Sequence, residues 1–525
     1  MKLLVKIIIG IMMYSSIMLT GNRDIKPFVK SDKQNLLQNL KADPTNHNYS
    51  FDLAQLLQRS KKYDKAIRLY KKSKLLEGEK GWYSEYMIGR CYDLKEDGEN
   101  ALKYYNSAFK RCPARSEPLY DIVQYYFDQK KYLEAYHFAN MGRKIPCPQY
   151  PALYIERDIY QYKFYEQLTI AAYYIEKYKH KGQKFIDKLL FDHNIPNQVK
   201  LNCFNNMLCY VENIENTEFI PIQVNTPLLC DWSTERYKPY NPSIIKTGGG
   251  YTLNCRSVNC MQWYPNYVVI DGSHTPKTKN VFVEYDENLN KGFEAQIIEH
   301  PTLTKYESNN QGLEDLRLFH LNNEIYFVAT TCQLNEQGIS KMCCGKFERN
   351  KVDATVSINS VTLLQGPFQH RAEKNWMPVV LNDELYLIYS FCPYVIFKPN
   401  LETGECTQVV NKDPGFDLSR FLGSAPPIPF DDGYLLMIHE GIWRDRKYYI
   451  HRFVYLDKNL DIKKCSRPFT FKHKGIEMCC GMVINHATDK LIMAVALEDR
   501  EAYFGLIDLN FVRSMLKPLI KNEVR

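Results

Sequence analysis

The 525-residue sequence predicts an α + β multidomain chain in which an α-helical array of repeats is followed by an all-β five-bladed propeller. Three observations predict it. Small residues recur in the first half, with Ala66, Ala101 and Ala135 lying 35 and 34 residues apart. Five segments in the second half share one plan: a polar or proline-bearing opening, an apolar strand, a turn of Gly, Asn or Asp, and an aromatic-aliphatic strand. The length also exceeds what one core organises, so two or three domains are expected.

In chain order, Met1 to Lys6 is short and basic, and the next thirteen residues, Ile7 to Leu19, are apolar. That pattern suits the h-region of a signal peptide and is short for a membrane span. Residues 1–21 therefore read as a signal peptide or signal anchor, placing the protein in the secretory pathway or on a membrane through this segment alone. No small-x-small cleavage site follows, and an incidental apolar leader on a cytoplasmic protein is the alternative.

Residues 30–200 read as helical repeats. From Ser50 to Phe191 apolar and aromatic residues keep helical spacing, with breaks at Gly78, Pro113 and Pro146. The period is that of tetratricopeptide repeats, and in the middle copy Gly89, Tyr92, Tyr105, Ala108 and Pro113 fall at the matching offsets. Such repeats stack into a curved surface, which predicts a protein partner on the helical array.

Residues 201–238, where helical spacing fades and Pro221 and Pro227 appear, read as a linker with the first outer strand. Residues 239–516 read as the propeller. Its five segments pair 240–245 with 248–253, 311–320 with 321–330, 373–380 with 382–389, 423–428 with 431–437, and 477–484 with 489–494. A recurrence of roughly 50 to 70 residues with four-stranded units predicts blades around a funnel lined by their innermost strands. In the second segment Glu314, Asp315 and Arg317 open a strand, which sets charge at one rim of a buried sheet. A salt-bridged turn would give the same pattern.

Composition narrows the function. The net charge of +8 is modest for this length, both signs are interspersed, and no Lys/Arg block follows a nucleic-acid backbone, so no nucleic acid is expected. The sixteen cysteines, including the adjacent pairs Cys343-Cys344 and Cys479-Cys480, form no metal pattern and read mostly as small core residues. Neither metal nor cofactor is expected. The leader leaves disulfides open.

Two resemblances sharpen this reading. The runs at 81–91, 111–120 (Arg-Cys-Pro-Ala-Arg-Ser-Glu-Pro-Leu-Tyr), 142–146 and 156–162 resemble the repeat module found behind family 2 glycosyltransferase domains in bacterial and giant-virus proteins. Here no Asp-x-Asp of the metal-sugar-nucleotide kind occurs, so the likeness implies sugar-related company without that catalyst. In the second half, Asn241-Pro242 leading to Leu253-Asn254-Cys255-Arg256, then Glu314-Asp315-x-Arg317, then Lys374-Asn375-Trp376-x-Pro378, resemble the five-bladed propellers of glycoside hydrolase family 130 and glycosyltransferase family 108. Leu316 departs from them, standing where those families usually place proline. The resemblance implies making or breaking β-mannosidic bonds with inversion, with Asp315 as the proton donor beside Glu314.

The second reactant decides the reaction class. A hydrolase needs a second carboxylate about 6.5–9.5 Å away to activate water, for which Glu373, Glu477, Glu498 and Asp499 are candidates. A phosphorylase needs cations, and His370, Arg371 and Lys374 form one group. A transferase needs an aromatic acceptor groove, for which Trp376, Tyr389, Tyr394 and Trp443 would serve, Trp376 fitting a core position as well. Asn241, Arg256, Arg317, Asn375, Ser424 and His439 complete the candidate substrate contacts, although Asn241 and Ser424 can equally satisfy turn backbone. The resulting expectation is glycosyl transfer or phosphorolysis on a β-linked, manno-type glycan, with a sugar phosphate or nucleotide sugar as donor. A non-catalytic glycan-binding scaffold and an inverting hydrolase are the alternatives.

Overall fold

In the computed structural model, which describes residues 30–149, 154–226, 237–263, 266–271 and 275–519, the chain divides into two units, Met1–Phe164 and Tyr165–Arg525. The segment read as a signal lies outside the described residues. No helix among the described residues is long and apolar enough to cross a membrane.

The first unit is helical: α1 (Lys30–Ala42), α2 (His47–Arg59), α3 (Tyr63–Ser73), α4 (Gly78–Asp93), α5 (Gly98–Arg111), α6 (Glu117–Asp128) and α7 (Tyr132–Gly142). The turns inside the pairs α2–α3, α4–α5 and α6–α7 each contain a left-handed residue, Lys61, Glu96 and Lys130, which repeat at the 35- and 34-residue spacing of the alanines. Ala66, Ala101 and Ala135 are buried because helices approach closely there. At Gly89 an added Cβ would stand 2.6 Å from the Tyr105 ring. The arginine of the Arg-Ser-Glu-Pro run, Arg115, is buried, pairs with buried Glu117 at 2.8 Å and lies 4.1 Å over the Trp82 ring. That motif is internal structure of the helical unit.

The second unit begins with α8 (Phe164–Ala171), which starts at the boundary, α9 (Glu176–Leu190) and α10 (Asn197–Met207), and it is then mostly β. Five main sheets follow, each of them open. Sheet I holds 238–247, 250–258, 278–286 and 291–299, extended by 355–358 and 348–350. Sheet II holds 314–321, 324–331, 341–346 and 361–363; sheet III holds 377–381, 384–391, 394–399 and 406–412. Sheet IV is built on the long hairpin 433–443 and 447–456, with 422–423 and 428–430 on one side and 462–465 and 469–470 on the other. Sheet V holds 477–485, 490–497 and 501–508. Its outer strand, Thr217–Pro221, comes from before sheet I and pairs with Glu501–Asp508, so the stretch read as a linker does supply an outer strand. The short helix α11 (Leu509–Met515) follows sheet V.

The hairpin turns explain why these strands fold back in register. Asn322 and Asn323 both have positive φ (51° and 65°), as do Asn382 and Asp383 (51° and 61°). This mirror-image turn matches the strand twist, and Asn and Asp tolerate it. Apolar clusters fill the spaces between I and II, II and III, III and IV, IV and V, and V and I. Side-chain alternation sends Cys343 into the I–II cluster and its neighbour Cys344 into the II–III cluster. The adjacent cysteines thus face opposite sides, and all fifteen described cysteines are unpaired. Helices α9 and α10 belong with the β unit: Asp187 of α9 pairs with Arg452 of sheet IV at 2.7 Å, and Lys200 of α10 pairs with Asp417.

Candidate functional site

The openings of sheets I, II and III meet through charged side chains. Asp315 Oδ1 accepts from Asn241 Nδ2 at 2.7 Å and from Arg256 Nη1 at 2.6 Å. The other end of the Arg256 guanidinium faces Glu314 at 3.3 Å, and Lys374 Nζ donates to the second Glu314 oxygen at 3.2 Å. Arg256 also donates to Thr278 and lies 4.5 Å over the Tyr240 ring. Asn241, Asp315 and Asn375 all have positive φ (37°, 54° and 66°), and so does Asp499 (54°). Backbone in this region costs free energy and persists only where the surroundings hold it.

Arg317 is the holder. It is fully buried, donating to the carbonyls of Ser424 (2.8 Å), Gly423 (3.2 Å) and Asp315 (3.3 Å) and to Asn375 Oδ1 (3.0 Å). Sequence reading put this arginine among the substrate contacts, but its reach from the strand interior spends the guanidinium on protein groups of sheets II, III and IV. Behind it the Ser424 hydroxyl meets His439 Nδ1 at 2.9 Å, and the His439 ring packs edge-on to Tyr449 at 4.8 Å. Burial, with His451, Arg317 and Lys447 adding to it, holds His439 well below its ordinary pKa, so at neutral pH the ring is uncharged.

The electrostatics of Asp315 follow from its partners. Burial alone would raise its carboxyl, but Arg256, Arg317, the Asn241 amide and Lys374 outweigh burial and hold it down to about 2. In this state Asp315 is a carboxylate at neutral pH. Asp499, also buried, acts on Tyr449 together with Asp315, and it opposes the burial and the Lys374 charge that pull Lys447 below the usual lysine range. Lys447, Tyr449 and Tyr240 were missed in sequence: Lys447 and Tyr449 lie at the start of the second long strand of sheet IV, which none of the five paired segments includes.

Other candidates are placed elsewhere. Glu373 is buried against Lys341 (3.0 Å) and near the Tyr389 hydroxyl (3.5 Å). Glu477 accepts from the backbone N–H groups of Phe471, Lys472 (2.9 Å) and His473 (3.0 Å), and burial, outweighing them, pushes it up to about 7. Glu498 pairs with Arg446 at 3.1 Å and His473 at 3.4 Å. His370 and Arg371 lie on an exposed loop, Arg371 against the Phe368 ring, and none of the described hydrogen bonds or ion pairs joins them to the Asp315 group. Trp376 is core, packed on Tyr389 and Phe397, and Tyr394 is buried with its hydroxyl on the Leu460 carbonyl. Among the described residues no His, Cys, Asp and Glu group is arranged to hold a metal ion.

Beside the Asp315 group a cavity of about 120 Å³ is lined by Lys374, Asn375, Tyr389, Phe421 and Gly423, among others. A larger one, about 1140 Å³, lies between α9, sheet IV and α11 and contains none of the sequence-predicted candidates.

No protein-family profile matches the chain, and no curated protein matches it. Among solved structures it is similar to a β-1,2-mannobiose phosphorylase from Listeria innocua at 11% identity, covering 58% of this chain and 95% of that one with a TM-score of 0.36. A second is a structure from the GH130 family of mannoside phosphorylases, described as containing glycoside hydrolases that target β-1,2-mannosidic linkages in Candida mannan (12% identity, 60% and 99% covered, TM-score 0.38). A third is YrrB, a tetratricopeptide protein with an unusual peptide-binding site (13% identity, 33% and 81% covered, TM-score 0.26). Scores this low leave the reading of the site to its own geometry.

Proposed function

We propose that the five sheets are the blades of a propeller and that the protein transfers a glycosyl group between a phosphorylated donor and a carbohydrate hydroxyl, with Asp315 exchanging the proton. The helical unit, read as a tetratricopeptide array, would hold a protein partner. The ring of five inter-sheet clusters, with the outer strand of sheet V supplied from before sheet I, supports the propeller reading. One observation carries the chemistry: a carboxylate held ionised by Arg256 and Asn241 at 2.6 and 2.7 Å, at a junction of three sheets beside Lys374.

An ionised Asp315 is the form that the synthetic direction uses. As the acceptor oxygen forms its bond to the anomeric carbon, its proton passes to Asp315, and the phosphate or nucleotide leaves with the electron pair of the broken C–O bond. In the reverse direction the same carboxyl, protonated, returns that proton. Lys374 supplies positive charge for the phosphate. Hydrolysis is less well supported, because Glu373, Glu477 and Glu498 are each engaged in holding structure, which leaves Asp499 as its base.

The test is a screen of the purified protein against sugar 1-phosphates, nucleotide sugars and β-linked manno-oligosaccharides, reading phosphate, nucleotide and reducing-sugar release, with Asp315→Asn alongside. Release that disappears in the variant supports transfer and names the donor. Silence from both proteins, with measurable glycan binding, would replace it with the binding-only reading.

A further inference from the structure

The hairpin joining the two long strands of sheet IV carries Trp443, whose surface is 71% exposed. In this ribbon His439 pairs with His451, Gly441 with Tyr449 and Trp443 with Lys447. Because side chains alternate along a strand, all six positions share one face. Lower down, the same face is core, with Met437 and Phe453 in the cluster between sheets IV and V. Going outward it rises from buried His439 through half-buried Tyr449 to Trp443. Gly441 leaves the position opposite Tyr449 without a side chain, and the Lys447 ammonium sits 4.6 Å from the Tyr449 ring centre and 5.4 Å from that of Trp443, joining the two rings.

The hairpin is also braced. Arg446 donates to both Glu498 oxygens (3.1 and 3.2 Å) and to the Lys474 carbonyl (2.6 Å), and Arg444 donates to the Asn205 carbonyl. A single exposed aromatic needs no explanation. This one stands on a fixed ribbon whose inner end touches the Asp315 group through His439 and Ser424. Tyr449 and Trp443 lie two strand positions apart, about 7 Å.

The geometry points to this ribbon face as a ramp for successive pyranose units, running from the Asp315 group out to Trp443, so that the ligand is a glycan chain longer than a disaccharide. The inference rests on the proposed glycan chemistry and deepens it. Aromatic rings present a negative face to the C–H groups of a sugar, while Lys447 donates to its hydroxyls.

The test is titration calorimetry of the full chain with β-linked manno-oligosaccharides from the disaccharide to the hexasaccharide, without phosphate or donor. Affinity should rise with chain length, and Trp443→Ala should remove about three- to tenfold of that rise, the size of one aromatic stacking contact. Trp443→Phe should keep most of it. Binding of the disaccharide with no gain for longer chains, or a gain that survives Trp443→Ala, overturns the ramp and leaves the proposed function standing. Failure of every length to bind or react overturns both.

Discussion

Two buried arginines of the β unit, Arg256 and Arg452, look alike. Each is nearly inaccessible and each bridges two carboxylates: Arg256 reaches Asp315 (2.6 Å) and Glu314 (3.3 Å), and Arg452 reaches Asp187 (2.7 Å) and Glu440 (2.8 Å). Their surroundings differ. The Arg452 network runs on through Arg420, Asp417 and Lys200, joining α9 and α10 to sheet IV, and its Asp187 and Arg452 line the larger cavity. The Arg256 network adjoins left-handed residues and ends at Lys374, whose side chain is 39% exposed. Buried charge alone therefore does not mark a site. Left-handed backbone at Asn241, Asp315 and Asn375, and an end group, Lys374, that is 39% exposed where Asp187 is 23%, separate the candidate site from the structural pair.

The largest expected effect tests that separation. Asp315→Asn should lower turnover by roughly 10²–10⁴, the range for loss of a general acid–base group, while circular dichroism remains native. Arg452→Met should do the opposite. Removing one partner of a buried pair costs about 3–5 kcal/mol, read as a lower urea midpoint, with turnover per folded molecule preserved. If Arg452→Met were harmless to stability, the two networks would not differ as described.

Next in size is Arg317→Lys. An ammonium cannot reproduce the fork that reaches Ser424, Gly423 and Asn375, so the left-handed Asp315 and Asn375 lose their common anchor. A fall in kcat of about 10² with little change in KM is expected for a misplaced catalytic group. A change in KM alone would return Arg317 to the substrate contacts.

What the sequence made legible, and what it did not, follows from the range of the interactions. Alternation and the Asn-Asn and Asn-Asp turns are local signals, so the strand pairs of sheets II and III could be read directly. Asp315, Asn241 and Asn375 were found because they open strands. The burial of Arg317 was hidden, since its partners Asn375, Gly423 and Ser424 lie 58 to 107 positions away on other sheets. Lys447 and Tyr449 feel Asp499, which lies about 50 positions further on. Helical spacing located α9 but ran out before α10, and it could not reveal that the α9 charge belongs to the β unit, because Asp187 and Arg452 are 265 positions apart. Glu477 was a reasonable base until the backbone N–H groups of residues 471–473 were seen to enclose it.

Acid sensitivity should be common to both networks. Asp315 and Asp417 are each held down to about 2, Asp417 by Lys200 and Ser419 against its own burial. A depressed carboxyl stabilises the fold above its unfolded pKa of 3.8, and that stability is lost as pH falls through the folded value. Asp315 should contribute roughly 2 kcal/mol that disappears between about pH 4 and pH 2, and Asp417, nearer to solvent and screened by it, should contribute less over the same range. Asp417→Asn and Asp315→Asn should each flatten the acid limb of a stability–pH curve, Asp315→Asn by more. A flat limb in the wild-type protein would mean that neither pair holds its carboxylate ionised.

The smallest expected effect lies at Ser424. Its hydroxyl bonds to uncharged His439 at 2.9 Å, while its backbone carbonyl takes the Arg317 donor at 2.8 Å. Ser424→Ala removes the first and keeps the second, so the anchor of Asp315 and Asn375 should survive. A loss of about 1 kcal/mol in stability and a change in turnover of no more than about fivefold are expected from paired denaturation and kinetic measurements. A drop as large as that of Arg317→Lys would place His439 in the reaction itself, and the boundary between the group that acts and the groups that hold it would then lie one layer deeper in sheet IV.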